Sequence, residues 1–347
     1  MFDPSPSLQQ LADLLRPALG MPAKEASLTN DEFDLALSHR VAPLLSHALQ
    51  LADIEPEEAI AERLLRETEI NARRVLQQKS SENAFGKLLD GAGIEYRIVK
   101  GYRLGELLYG RETRRVSKDI DLLIGPAKID QAVRIAAKAG YTRANGKSVN
   151  EGIARTQLRF HREIEIRDPN TGAFLELHSR LLDFPDAEWT DEIFFRVQLD
   201  LSSPEYVLYL VLHGVGSQWR RLKWLADLAM IAQHTRPNVR REVIGLARHL
   251  QCLPAIAASF HACQSLWRED VLADWIEEIG LAASDSRVLR HLTAFSHFLD
   301  QDDDRSLHDL ISTRLRKLGD EPVFGDRQPS LMAATTNRLA IWFLERF

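Results

Sequence analysis

Residues 96–124, YRIVKGYRLGELLYGRETRRVSKDIDLLI, constrain the fold more than any other part of the chain. An apolar run closes on Lys100-Gly101, a helix-like segment follows, and a second apolar run contains Ile120, Leu122, Leu123 and Ile124. Asp119 and Asp121 are set into that second run. Strand side chains alternate between faces, so residues two apart share one. The spacing predicts strand, helix, strand, with both carboxylates projecting from one face of a buried sheet. Like charges so placed repel and raise each other's pKa. A divalent cation between them removes the conflict, which points to Mg²⁺ or Mn²⁺ and a phosphate-bearing substrate. An isolated Asp-x-Asp is a weak signal, most often a pair of surface carboxylates. Here the apolar neighbours argue against a solvated loop, and Lys100-Gly101 offers a turn that brings backbone close to phosphates.

A third acid comes from Phe174-Leu175-Glu176-Leu177-His178, a short strand pattern with Glu176 and His178 on one face. Residues 164–172, ending in Asp168-Pro169-Asn170-Thr171-Gly172, read as a strand and turn leading into it, hence a hairpin. Paired beside the Asp119–Asp121 strand, Glu176 completes a three-carboxylate cluster, and His178 joins the candidate site.

This order of elements resembles the polymerase-β-like nucleotidyltransferase superfamily and, more closely, its bacterial family of uncharacterised nucleotidyltransferases. The residues that carry the resemblance are Lys100-Gly101, Leu104, Leu108-Tyr109, Arg114 or Arg115, Asp119 to Leu123, and Glu176-Leu177-His178, followed by residues 204–214 and 222–229. The first motif is Lys-Gly-Tyr where the superfamily has Gly-Ser. The resemblance implies an α+β fold: a small mixed β-sheet core flanked by N-terminal helices and a C-terminal helical bundle. It implies two metal ions held by Asp119, Asp121 and Glu176. The substrate is then a nucleoside triphosphate, expected to be ATP, whose nucleoside monophosphate passes to a hydroxyl as pyrophosphate leaves. Lys100, Gly101, Arg114 and Arg115 are the candidates for holding the triphosphate, with His178, Lys223 and Asp227 beside it. Charge stabilisation dominates such chemistry. The acceptor stays open between a small molecule, a peptide and a protein, including a partner from a peptide-modification or polysaccharide pathway. The competing reading is a noncatalytic accessory protein that binds nucleotide or a partner.

The remaining sequence narrows the classes further. A net charge of −6 disfavours a general nucleic-acid binder, and no apolar run is long enough to span a membrane. Cys252 and Cys263 in a helical region fit a reducing cytoplasm, and their spacing with His249 and His261 matches no familiar zinc pattern. Three stretches are expected: helices over 1–93, the catalytic core over 94–200, and a helical domain over 201–347. Within them, helices are expected at 8–19, 31–51, 57–91 and 127–139, then throughout the chain after Pro204, with a loop at 318–329. The 57–91 helix is expected to bury a face containing Leu64, Leu65, Val75, Leu76 and Phe85. Lys223 and Asp227, at i and i+4, share a helix face near Trp224; without the resemblance they read as a surface ion pair.

Overall fold

The computed structural model describes residues 3–143, 145–149, 152, 154, 158, 163–181 and 195–299; the loop expected at 318–329 and the helices expected after 299 lie outside them. One five-stranded sheet is formed by β1 (Tyr96–Ile98), β2 (Asp119–Ile124), β3 (Thr142–Arg143), β4 (Glu163–Arg167) and β5 (Phe174–His178), in the order β1-β2-β5-β4-β3. β2 and β5 run parallel, and the other pairs are antiparallel. Before the sheet come α1 (Pro6–Leu15), α2 (Asn30–Ser38), α3 (Ala42–Ala52) and α4 (Glu58–Gly91); α5 (Tyr102–Tyr109) and α6 (Ile129–Lys138) lie within it. After it come α7 (Pro204–Gly216), α8 (Leu222–His234), α9 (Pro237–His249), α10 (Leu253–Trp267), α11 (Asp270–Ile279) and α12 (Ser286–Leu299). The architecture is the expected α+β one, a small mixed sheet flanked by helices.

Alternation along the strands decides what each face of the sheet does. Ile120, Leu122, Ile164, Ile166, Leu175 and Leu177 point to one side and pack with Phe85 and Leu89 of α4 and with Ile129 and Val133 of α6. Asp119, Asp121, Glu163, Glu165, Glu176 and His178 occupy the intervening positions, and Leu123 on that side joins the other core. That second core joins α1–α3 to α7–α12, so helices before and after the sheet share one interior. Trp267 of α10 donates through its indole to the Ala12 carbonyl at 2.9 Å, and buried Arg16 donates to the Trp267 carbonyl at 2.9 Å. α4 contributes to both cores: Ile60 and Leu64 to this one, Phe85 and Leu89 to the sheet.

Two local expectations change. The helix expected over 31–51 is two helices, α2 and α3, parted by Arg40 with φ 58°. Pro43, near the start of α3, has no N–H for a continuous helical ladder. In α4, Leu65 and Leu76 do not join the buried face; they are 62% and 68% exposed. The buried stripe runs instead through Leu64, Asn71, Val75, Gln78, Glu82 and Phe85, and half of it is polar. Those polar groups each have a partner on the segment that joins β1 to β2.

Candidate active site

The approach to β2 is held from α4. Asn71 Nδ2 donates to the Thr113 carbonyl at 2.8 Å, and Gln78 Nε2 reaches the carbonyls of Ser117 and Asp119 at 3.2 and 3.3 Å. Glu82 accepts from both Tyr102 and Arg103 of α5. One helix therefore fixes both ends of the segment that joins Lys100-Gly101 to Asp119.

The Lys100-Gly101 turn is held from the opposite side. Val99 N donates to the Asp121 carbonyl at 3.1 Å, and the Tyr206 hydroxyl of α7 donates to the Val99 carbonyl at 2.9 Å. Gly101 lies at φ 73° and ψ −143°, a conformation essentially restricted to glycine. Its carbonyl accepts from Arg115 Nη1 at 3.2 Å.

The turn delivers the Lys100 ammonium to Asp121 Oδ1, 2.7 Å away, with both side chains buried. Register supplies the rest. Asp121 stands beside Glu176 on the parallel β2–β5 pair, and Glu165 faces Glu176 across β4–β5. His178 Nε2 donates to Asp121 Oδ1 at 3.2 Å and lies 3.3 Å from Glu176 Oε2, while its Nδ1 faces Glu163 Oε2 at 3.3 Å. Ligand atoms of Asp121, Glu176 and His178 all lie within 4.8 Å of one another. Asp119 shares the face but is not in that compact group; its carboxylate lies 3.4 Å from the Ser117 hydroxyl.

Electrostatics separate these acids. Burial alone would raise Asp121, but Lys100 and His178 hold it well below the usual carboxylate range. Burial pushes Glu176 up to about 8 against its hydrogen bond from His178, with Asp119 and Asp121 adding to the rise. Asp119 is raised by burial and then by Asp121, and Glu165 by burial and then by Asp119. Burial would lower His178, yet its bonds to Asp121 and Glu176 lift it to about 9, so it is an imidazolium at neutral pH. The face carries more carboxylate than its own cations neutralise. Closely set carboxylates raised by burial and by one another are a donor set that a divalent cation fits.

The remaining candidates divide. Arg115 is buried and donates through Nε to both oxygens of Asp227, at 3.1 and 2.9 Å, and the Tyr109 hydroxyl donates to Asp227 Oδ1 at 2.9 Å. Asp227 is thus engaged by the core, and its connection to the turn runs through Arg115 to the Gly101 carbonyl. Lys223 is also buried rather than a surface partner of Asp227. It donates to the Val116 carbonyl at 3.1 Å, and burial, followed by Arg115 and Arg40, holds its amine well below the ordinary lysine range. Its charge also bears on Asp119. Arg114 is directed to the Tyr109 carbonyl at 2.5 Å, and His47 in α3 is lowered by burial and then by Arg114 and Arg111. Cys252 and Cys263 are both buried, and His261 contacts the Leu281 carbonyl at 2.8 Å.

Sequence reasoning passed over Glu163, Glu165, Tyr206 and Gln78. The Glu-Ile-Glu-Ile-Arg run of β4 did carry a signal: its alternation puts Glu163 and Glu165 on the Glu176 face once the hairpin is accepted. Nothing in the local sequence marks Gln78 or Tyr206, whose partners are 39 and 107 residues away.

A family model described as uncharacterised nucleotidyltransferase matches residues 30–268, from α2 to the end of α10. The chain belongs to the uncharacterised nucleotidyltransferase family. The match covers the whole acid-bearing sheet and most of the helices that hold it, so this family member carries its acids inside the region that defines the family. No curated protein and no solved structure matches the chain. No helix among the described residues is long and apolar enough to cross a membrane.

Proposed function

We propose that this protein is a metal-dependent nucleotidyltransferase that moves a nucleoside monophosphate from a nucleoside triphosphate to a hydroxyl acceptor, releasing pyrophosphate. The observation that carries the reading is the parallel register of Asp121 against Glu176, with Asp119 on the same face, in a chain of this family. Asp121 and Glu176 are the residues that would hold Mg²⁺ or Mn²⁺, with Asp119 completing the set. When bound, the metal neutralises charge on the triphosphate and on the leaving pyrophosphate.

The chain's own residues supply the rest. The acceptor oxygen bonds to the α-phosphorus, the bond from that phosphorus to the β-phosphate oxygen breaks, and pyrophosphate leaves with the electron pair. The proton of the hydroxyl passes to the Glu176 carboxylate, which takes the part of general base. Lys100 and the glycine turn behind it face the triphosphate. Asp227, Arg115 and Tyr206 keep that turn in place. ATP is the triphosphate to try first, and the acceptors to try include peptides and sugars.

The test is incubation with each labelled triphosphate, Mg²⁺ or Mn²⁺ and candidate acceptors, comparing the native chain with Asp119→Ala/Asp121→Ala. Transfer and pyrophosphate release that depend on the two aspartates support the reading. Release that survives the double substitution sinks it. The Lys100 ammonium already seated on Asp121 favours one second reading, a noncatalytic accessory protein in which that contact is permanent. Nucleotide binding without turnover for every triphosphate is its signature.

A further inference from the structure

Lys100 has two seats. Its ammonium is 2.7 Å from Asp121 Oδ1 and 3.3 Å from His213 Nδ1, and lies 5.9 Å from the centre of the Tyr209 ring. Tyr209 and His213 are one turn apart on α7, the helix whose Tyr206 holds the Val99 carbonyl. The His213 ring is itself set edge-on to Trp224 of α8 at 6.3 Å. A cavity of about 10 Å³, lined by Lys100, His213, Arg115, Trp219, Trp224 and Asp227 among others, opens beside the His213 seat. That volume holds about one water, so the ammonium has somewhere to shift without repacking the core.

The same carboxylate oxygen serves Lys100 here and a metal in the proposed function. An ammonium and a dication on one oxygen repel each other at close range in a buried setting, where screening is weak. An ammonium already shared with an imidazole nitrogen has a partner to keep when it gives up the carboxylate. We propose that Lys100 is the resident counter-cation of this site, that it yields Asp121 to the incoming divalent ion, and that His213 is the positioning residue which retains the displaced ammonium facing the triphosphate. The proposal rests on the metal-site reading above. It explains why a buried lysine stands at a carboxylate that the chemistry needs free: the contact keeps Asp121 neutralised until metal arrives, then releases a cation where phosphate charge enters.

The test uses the full chain with Mn²⁺ alone, without nucleotide, titrated by calorimetry. Asp121→Asn is expected to abolish binding. Lys100→Gln, which keeps a donor and removes the charge, is expected to bind Mn²⁺ roughly tenfold more tightly than the native chain, the gain from removing one competing cation at the shared carboxylate. Lys100→Met should do the same, and serves if the glutamine variant does not fold. His213→Phe is expected to weaken Mn²⁺ binding roughly fivefold, the effect of one lost hydrogen bond, and to have no effect in the Lys100→Gln background. A merely structural His213 would act equally in both backgrounds. Equal Mn²⁺ affinity in the native chain and both Lys100 variants overturns the exchange while leaving the metal site standing. No Mn²⁺ binding by the native chain or any Lys100 variant, or binding that survives Asp121→Asn, overturns the metal-site reading itself.

Discussion

Two buried polar clusters adjoin the Lys100-Gly101 turn, one on each side of Gly101. On one side Arg115, Asp227 and Tyr109 pair charge with charge and donor with acceptor, between α5, the following loop and α8. On the other, Asp121, Glu176 and Glu163 crowd around two cations, Lys100 and His178. The first has the composition of a structural pin, since a buried ion pair persists when its hydrogen bonds are complete. The second carries charge that folding alone does not balance, and such imbalance concentrates at functional sites. Helices brought by the fold to one turn thus serve two purposes: α8 fixes the backbone through Arg115, while α7 holds the side chain through His213.

The largest expected difference between the clusters is in rate. Asp121→Asn should lower nucleotidyl transfer by about a thousandfold, roughly 4 kcal/mol of barrier, measured as pyrophosphate release under saturating metal. Asp227→Ala should act first on folding: it strands the buried Arg115 guanidinium, at a cost of about 3 kcal/mol, read from urea denaturation. If Asp227→Ala left stability intact and abolished turnover, the pin would belong to the chemistry and the contrast would fail.

A pH titration in chelator sharpens the same contrast. Glu176 titrates near 8 in the folded protein against an ordinary 4.5, and His178 near 9 against 6.5. In both cases the folded state binds more protons than the unfolded one in the interval between those values, so stability falls as pH rises through it. Metal-free protein is expected to lose about 4 kcal/mol between pH 6.5 and 9, roughly half from each group, followed by denaturation midpoints. Added Mn²⁺ should flatten the slope by standing in for the lost protons. Arg115 is held above its ordinary range and contributes no slope there, so an equal fall in Glu176→Gln/His178→Phe would place its source elsewhere.

How much of this was readable before folding follows from the range of each interaction. The Asp119–Asp121 pair, the Glu176–His178 strand and the hairpin before it were legible because strand periodicity is local and the neighbours are apolar. The split between α2 and α3 was legible in principle, since Pro43 stands in the middle of the expected helix. The buried face of α4 was misjudged because Leu65 and Leu76 outrank Asn71 and Gln78 on any apolar scale. What buries Asn71 and Gln78 is a set of carbonyls more than thirty-five residues away. The Arg115–Asp227 pair spans 112 residues, so Asp227 looked like a partner for its helical neighbour Lys223. Charge identities were visible in the sequence. Their pairing was set by how α7 and α8 pack on the sheet.

The smallest test bears on whether the pin is redundant. Tyr109 is buried, and its hydroxyl is one of three donor contacts to Asp227; the other two come from Arg115 Nε. Burial and then the Asp227 charge hold the phenol well above its ordinary range, so it stays a donor at any working pH. Tyr109→Phe removes one neutral donor and leaves the guanidinium on both carboxylate oxygens, which predicts a loss of about 1 kcal/mol. Because Arg115 still reaches the Gly101 carbonyl, transfer should stay within about twofold of the native rate. A rate loss well beyond the stability loss would mean that the turn is tuned through Tyr109 as well. The two clusters would then be one coupled network, and a double-mutant cycle with Lys100→Gln would show a non-zero coupling term.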